Sequence, residues 1–82
     1  MSKPTIDSIK SEKADQDGIT FRVAGKNEDG DEYECTVWAE FNGRDCDVDE
    51  VFKGDPPDDI TMMAIEHPDG ARLWQEEYKK HG

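Results

Sequence analysis

The fold is decided by residues 19–41, which read ITFRVAGKNEDGDEYECTVWAEF. Apolar residues occupy every second position over 19–23 and again over 33–41, which is the pattern of half-buried antiparallel strands. Because successive side chains of a strand point to opposite faces, the odd-numbered residues of both runs share one apolar face. We therefore predict a β-hairpin over about 19–41 whose apolar face lies against the rest of the domain.

The same alternation sets the length of the loop in this hairpin. Directly opposed residues project from the same face, so odd-numbered residues must oppose odd-numbered residues. A two-residue Asp-Gly turn breaks that rule, whereas a three-residue loop from Glu28 to Gly30 keeps it and opposes Val23 to Cys35. It also places Gly30 where the backbone must be left-handed. We predict the three-residue loop, with a five-residue loop of the same parity as the alternative.

The segment before the hairpin, residues 6–14, is ambiguous. Its two isoleucines, Ile6 and Ile9, are three residues apart, as on one face of a helix, but the segment is short and polar. It leads into Asp15-Gln16-Asp17-Gly18, which is a strong turn signal. We interpret 6–14 as a first strand, with a helix as the alternative.

The segment after the hairpin, residues 42–59, is predicted to be an acidic, irregular loop. Asn42-Gly43 ends the preceding strand, and Pro56-Pro57 interrupts regular structure. Within the loop, one short helical turn is expected around Val48, Val51 and Phe52.

Two helices are predicted at the C-terminal end. Asp58 or Asp59 would cap the first, which runs to about His67 and is stopped by Pro68; a strand over 60–66 is the alternative. Its apolar face would be Ile60, Met63 and Ala64.

The last helix is expected over about 70–80, with Asp69 as its cap and Ala71, Leu73, Trp74 and Tyr78 as its apolar stripe. The prediction as a whole is a single α+β domain of residues 1–82, with loose termini at 1–5 and 81–82. A small antiparallel sheet of two or three strands would pack against one or two C-terminal helices.

The net charge of the chain is concentrated in one segment. The 82 residues include 21 acids and 10 bases, which gives a formal net charge of −11. Residues 28–59 hold 13 of the acids and two of the bases, Arg44 and Lys53, so this segment accounts for the whole net charge. Residues 1–27 and 60–82 carry only +1 and −1. Acid concentrated in this way predicts a surface that meets a positively charged partner.

Trp38 is the one apolar residue in this predicted surface. Alternation puts it on the polar face of its strand with Glu34, Thr36 and Glu40, where an aromatic side chain rimmed by acid has the character of an interface hot spot. The alternative is that a loop or a helix covers that face. The residues predicted to contact the partner are Asp29, Asp31, Glu32, Glu34, Trp38, Glu40, Asp45, Asp47, Asp49, Glu50, Asp55, Asp58 and Asp59.

Composition excludes several classes of ligand. Nucleic-acid phosphates and anionic membrane surfaces attract Lys and Arg, so we expect this acidic chain to bind neither directly. The sequence shows no run of about 18–20 apolar residues and no signal peptide, so we expect no membrane span and a cytoplasmic location.

Two cysteines without a secretory signal indicate reduced thiols, with a Cys35–Cys46 disulfide as the alternative. The oligomeric state does not follow from these features.

Two patterns of metal-ligating residues fail on spacing. The Asp-x-Asp-x-Asp run over 45–49 is like the start of a calcium loop, but the required Gly at the sixth position and Glu at the twelfth are absent. Cys35, Cys46, His67 and His81 lack the short ligand spacings of zinc sites. Acidic neighbours also disfavour the thiolate of Cys46, so no activated nucleophile is evident. We therefore expect no metal, no cofactor and no catalytic residue.

These features lead to three hypotheses about function. The first is a non-enzymatic acidic binding protein, an inhibitor or mimic of nucleic acid that occupies a basic surface of a nucleic-acid-binding protein. Its size and composition, though no motif, are similar to those of phage-encoded DNA-mimic inhibitors and of immunity proteins that block nuclease toxins. The second is a small phage structural or assembly accessory protein that makes contacts through Met62, Met63 and Trp74. The third, a small enzyme, is disfavoured because no nucleophile–base pair is visible.

Overall fold

The computed structural model of the chain describes residues 3–42 and 45–81. In this part of the chain, a four-stranded antiparallel sheet with its strands side by side in chain order is followed by two helices. The strands are β1 (Thr5–Ala14), β2 (Gly18–Lys26), β3 (Glu32–Glu40) and β4 (Cys46–Lys53), and the helices are α1 (Ile60–Glu66) and α2 (Pro68–His81). The α+β class and the C-terminal helices are confirmed, but the described sheet has four strands rather than two or three.

Some sequence-based expectations concern residues outside the described ranges. The loose termini expected at 1–5 and 81–82 are described only in part, since β1 begins at Thr5 and α2 extends to His81. Gly43 of the expected turn, and the neighbouring Arg44, lie outside the described residues.

The central hairpin has the predicted register. β2 and β3 pair without a bulge, and Val23 lies opposite Cys35. Asn27 donates its backbone N–H to the carbonyl oxygen of Asp31 at 2.9 Å, which closes the three-residue loop, and Gly30 has a φ of 86°. The loop length and the left-handed glycine are both confirmed, because pairing the two apolar faces requires this parity.

The hydrophobic core lies between one face of the sheet and the helices. Ile60 and Ala64 of α1 are buried against that face, and Leu73 and Trp74 of α2 pack against the same cluster. Removing a large apolar side chain from water contributes about 1.5–3 kcal/mol, so this face is the main source of stability. The buried residues of the two central strands in this core are Ile19, Phe21, Val23, Tyr33, Cys35, Val37 and Ala39.

The first segment is a strand, as we favoured, and a bulge explains its helix-like spacing. Ile6 lies opposite Gly25 and Ile9 lies opposite Val23, with Asp7 as the extra residue between these pairs. Because a bulge inserts one residue, both isoleucines face the core although they are three residues apart. A second bulge follows further along β1.

The prediction of an irregular loop over 42–59 is wrong for residues 46–53, which form β4 at an edge of the sheet. Asp49 is an extra residue in the pairing of β4 with β3, so Val48 and Val51 face the same side of the sheet. The resulting spacing of three imitates a helix face, which is why the sequence suggested a single helical turn here.

The caps predicted for the two helices differ from those in the structure. Residues 60–66 are helical, as favoured over the strand alternative, but the carboxylate of Asp59 makes no capping hydrogen bond. The second helix begins at Pro68, and the N–H of Asp69 donates to Nδ1 of His67 at 3.1 Å. His67 therefore caps α2 in place of Asp69. Pro68 fits the first helical position, because an N–H group there would have no hydrogen-bond partner within the helix and proline has none to satisfy.

We expect the two glycines with positive φ to differ in how they tolerate alanine. A Cβ on Gly30 would point into open space, whereas a Cβ on Gly54 (φ 63°) would clash with the carbonyl oxygen of Glu32. Gly30→Ala should lower the free energy of unfolding by about 1 kcal/mol, the cost of a left-handed L-residue, and Gly54→Ala by roughly twice that or more. Urea denaturation measures both losses, and equal losses would contradict the close approach of Gly54 to β3.

Candidate functional site

The face of the sheet opposite the helices carries the polar residues of the strands. Paired residues project from the same face. The even-numbered residues of β2 and β3 pair with one another, and the other two strands extend the face on both sides. We call this surface the open face. Its residues include Lys10, Lys13, Thr20, Arg22, Glu32, Glu34, Thr36, Trp38, Glu40 and Asp47.

Trp38 lies on the open face and is half-buried against its own sheet. It is paired with Thr20 on one side and Asp47 on the other. Its ring extends over Gly18, where an added Cβ would lie 2.7 Å from Cη2 of the indole. Thr20, which lies opposite Trp38 on β2, is almost fully buried. Part of the indole therefore packs on the sheet, and Glu40 stands at the same end of β3.

Arg22 connects all four strands on the open face. Its Nε donates to the carboxylate of Glu34 on β3 at 2.8 Å, and its Nη1 lies 3.6 Å from Glu12 on β1. Its guanidinium carbon lies 4.4 Å from the centre of the Phe52 ring on β4, a cation–π contact. The hydrogen bond with Glu34 is the main cause that raises the pKa of Arg22. Arg22 thus holds the edge strand to the middle of the sheet.

Two of the predicted contact acids are neutralised on the open face. Glu34 pairs with Arg22, and Glu32 accepts a hydrogen bond from Nζ of Lys53 at 2.9 Å. That hydrogen bond lowers the pKa of Glu32 and raises the pKa of Lys53. Exposed ion pairs contribute little to stability. The Arg22–Glu34 pair removes net negative charge from the central strands of the open face, and the Lys53–Glu32 pair removes it at the hairpin end of the sheet.

Most of the remaining predicted acids follow one edge of the sheet. Asp45, Asp47, Asp49 and Glu50 lie on or just before β4, the edge strand, and all four are exposed. Because β4 runs antiparallel to β3, it ends beside the hairpin tip, and the exposed Asp55 continues the row there.

The row of acids joins the tip of the β2–β3 hairpin. Nδ2 of Asn27 donates to the backbone oxygen of Asp55 at 3.0 Å, and Oδ1 of Asn27 accepts from the N–H groups of Asp29 and Asp31. Asp29, Asp55 and Asp58 consequently line one shallow depression. We call the whole row the acidic edge. It consists of Asp29, Asp31, Asp45, Asp47, Asp49, Glu50, Asp55, Asp58 and Asp59.

A groove that the sequence does not indicate opens at the other end of the acidic edge. It has a volume of about 280 Å³ and lies between the two helices, the end of β3 and the start of β4. The apolar stripe predicted for the second helix includes Trp74, but the face predicted for the first helix includes neither Met62 nor Ile65. Only the packing of the helices brings these residues beside β4. The groove is lined by Ala39, Glu40, Asp45, Cys46, Met62, Ile65 and Trp74.

Both cysteines are free thiols, so the disulfide considered from the sequence is not formed. Burial raises the pKa of Cys35 to about 11. Burial also raises the pKa of Cys46, with a smaller increase from Asp47 and an opposing hydrogen bond with Thr61. The reactive thiolate is therefore disfavoured at both positions near neutral pH.

Other classes of site find little support in the described ranges 3–42 and 45–81. No group of three or more His, Cys, Asp or Glu side chains is arranged to hold a metal ion there. Within the same ranges, no helix has the length and apolar character needed to cross a membrane. None of the known protein-family models, curated proteins or solved structures matches the chain.

We expect Arg22 to be needed for the stability of the edge strand. Arg22→Lys keeps the charge but loses the planar group that lies over Phe52 and donates to Glu34, so its urea midpoint should fall. Lys10→Arg is the matched control, because Lys10 is exposed directly opposite Arg22 and should tolerate the change. Equal midpoints for the two variants would contradict the role assigned to Arg22.

The two thiols should differ in alkylation. Cys35 is fully buried and should react only when the protein unfolds, whereas the half-buried Cys46 should react in the native state. Burial raises the pKa of Cys46 above the value of free cysteine, which is about 8.5, so Cys46 should be alkylated more slowly than free cysteine at about pH 8. Its rate should continue to increase at pH values above about 8.5, where free cysteine is already mostly thiolate. Mass spectrometry of adducts over time measures both, and Cys46→Ser should abolish native-state labelling.

Proposed function

We propose that the chain is a non-enzymatic binding protein whose acidic edge occupies a basic surface of a nucleic-acid-binding protein. The observation that carries this proposal is the row of exposed carboxylates along β4 that continues to the hairpin tip. In the described part of the chain, the ion pairs involve other acids, so the charge of the acidic edge is not neutralised there.

The spacing of these carboxylates suits electrostatic attraction. At a rise of about 3.3 Å per residue, the four acids from Asp45 to Glu50 are on average about 5–6 Å apart, against about 3.4 Å between charges along one DNA strand. The next acid, Asp55, follows five residues later, beyond Lys53. The acidic edge is therefore less dense than a phosphate backbone. Such a row accelerates encounter with a basic surface and makes binding depend on salt.

Charged residues on an edge strand also have a structural use, since they prevent pairing with the edge of another sheet. That use accounts for acid on β4 itself. It does not account for Asp29, Asp55 and Asp58, which lie beyond the strand and are brought together by the hydrogen bond from Asn27. The continuation of the acids past the strand favours a binding surface.

Occupying such a surface would exclude the partner's nucleic acid. We therefore propose that the protein is a cytoplasmic inhibitor of the phage anti-defence type or of the immunity type. The raised pKa values of Cys35 and Cys46 support a role without a thiolate nucleophile.

A small structural or assembly accessory protein is the second candidate. One observation favours it: Met62 is 53% exposed beside Trp74, although Met63 packs against the core. In that case apolar contacts would dominate, and association would depend little on salt.

The proposed function is tested by neutralising the acidic edge in place. A variant with Asp45→Asn, Asp47→Asn, Asp49→Asn and Glu50→Gln keeps the side-chain shapes. It should bind a captured nucleic-acid-binding protein at least roughly tenfold more weakly at about 50 mM salt. Capture from a bacterial lysate identifies the partner, and calorimetry with the purified partner measures affinity. Competing duplex DNA or RNA should displace the wild type.

A matched control carries the same change in charge elsewhere. Asp7→Asn, Asp17→Asn, Glu66→Gln and Glu76→Gln alter four exposed acids outside the acidic edge. This control should bind almost as well as the wild type. Equal loss in both variants, or binding that does not weaken between about 50 and 500 mM salt, would show that the acidic edge is not the binding site.

A further inference from the structure

We propose that Trp38 on the open face binds the guanidinium group of an arginine in a basic segment of the partner. The surrounding carboxylates would be those of Glu40, Asp47 and Glu50. This inference rests on the proposed function and deepens it: the acidic edge attracts the partner, and Trp38 distinguishes arginine from positive charge in general.

Trp38 presents an aromatic ring on the outer surface of the sheet. Its indole lies over Gly18, where an added Cβ would be 2.7 Å from Cη2 and 2.9 Å from Cζ2 of the ring. The side chain is half-buried in this position, so part of the ring stays exposed on the open face. A ring held against the sheet loses little conformational freedom on binding, which favours affinity.

Three carboxylates share the open face with Trp38. Asp47 is paired directly with Trp38. Glu50 is paired with the residue two positions before Trp38, and Glu40 lies two positions after it on the same strand. Paired residues, and alternate residues of one strand, project from the same face. All three carboxylates therefore stand on the side of the sheet that carries the indole.

Charge complementarity indicates a cation as the occupant. In residues 3–42 and 45–81, the ion pairs involve other acids than these three. Oδ1 of Asp47 accepts the N–H of Val48 at 2.8 Å, which leaves the charge of the carboxylate in place. Lys13 is on the same face, but it belongs to β1, two strands or about 10 Å from β3. The surroundings of Trp38 are therefore net negative and attract a positive group.

The open face already holds one arginine of the chain in such surroundings. The guanidinium carbon of Arg22 lies 4.4 Å from the centre of the Phe52 ring, and Arg22 also pairs with Glu34 at 2.8 Å and Glu12 at 3.6 Å. Trp38 has the same two components, a ring and carboxylates, and an indole attracts a cation more strongly than a phenyl ring does. The cation–π contact of the described residues is that of Arg22, so Trp38 lacks a cation of its own there.

Arginine suits this arrangement better than lysine. A planar guanidinium stacks on an aromatic ring and still donates N–H groups in its own plane to carboxylates beside the ring. The ammonium group of lysine is a compact, strongly hydrated charge that cannot stack in this way. Trp and Arg are also the side chains that most often dominate the affinity of interfaces.

Two peptides of equal charge test the inference. Each is a short glycine–serine peptide with a lysine on either side of a central residue, which is arginine in one peptide and lysine in the other. In proton–nitrogen correlation spectra at about 50 mM salt, the arginine peptide should move the indole N–H signal of Trp38. The signal of Trp74, which packs on the helix side of the sheet, should stay in place. The dissociation constant of the arginine peptide should be at least about threefold lower, as expected for stacking on a partly exposed ring.

Variants of the chain assign the preference to the indole. Trp38→Leu keeps an apolar side chain over Gly18 but removes the ring, so the preference for the arginine peptide should disappear. Tyr78→Leu is the matched control, because Tyr78 is a 45% exposed aromatic residue of α2, and it should leave the preference unchanged. The Trp38 signal is measured in the wild type, so the inference is tested even if Trp38→Leu fails to fold.

The outcomes distinguish this inference from the proposed function. Equal affinity of the two peptides, or binding that moves the Trp74 signal instead of the Trp38 signal, overturns the inference. If both peptides then still bind in a salt-dependent way, the electrostatic function stands. If neither peptide binds, the inference is overturned as well, and the neutralised acidic-edge variant, measured with the captured partner, decides the proposed function by itself.

Discussion

The apolar faces of β2 and β3 can be buried together in only one parity of strand pairing. Once Val23 opposes Cys35, every residue of β2 and β3 has its face assigned, because side chains alternate along a strand. The apolar face has to be covered, and the two helices cover it. The polar face is left open, so the charges of the middle segment are carried on the opposite face and at the ends of the sheet.

Both outer strands differ from the central pair in the same physical way. Each pairs with its neighbour through bulges, which insert a residue and change an apolar spacing of two into one of three. Bulges are common at sheet edges, where only one side of a strand must satisfy a ladder of hydrogen bonds. The bulge at Asp49 belongs to the acidic edge. The irregular pairing that hid β4 in the sequence therefore also carries part of the proposed binding surface.

The distribution of charge on the folded chain is uneven for a structural reason. Arg22 neutralises Glu34 in the central strands and Lys53 neutralises Glu32 at the hairpin end of the sheet, whereas the ion pairs of the described residues leave out the acids of the acidic edge. Arg22 also contacts Phe52 and so connects the middle of the sheet to the edge strand. The cation–π contact of Arg22 with Phe52 joins the edge strand to the same residue that removes charge from the open face.

Local patterns of residues are enough to predict the central hairpin, its three-residue loop, the α+β class and the segment that carries the net charge, because alternation and turn chemistry act over short stretches of chain. It did not reveal β4, since its bulges break the period of two. It also placed the helix cap at Asp69, because it could not show that His67 would turn its ring nitrogen to the next N–H group. The packing of the folded chain sets which acids Arg22 and Lys53 neutralise and which acids join Asp29 at the hairpin tip. It also brings Met62 and Trp74 together in a groove beside Asp45. These are contacts between residues far apart in the chain, and no local pattern specifies them.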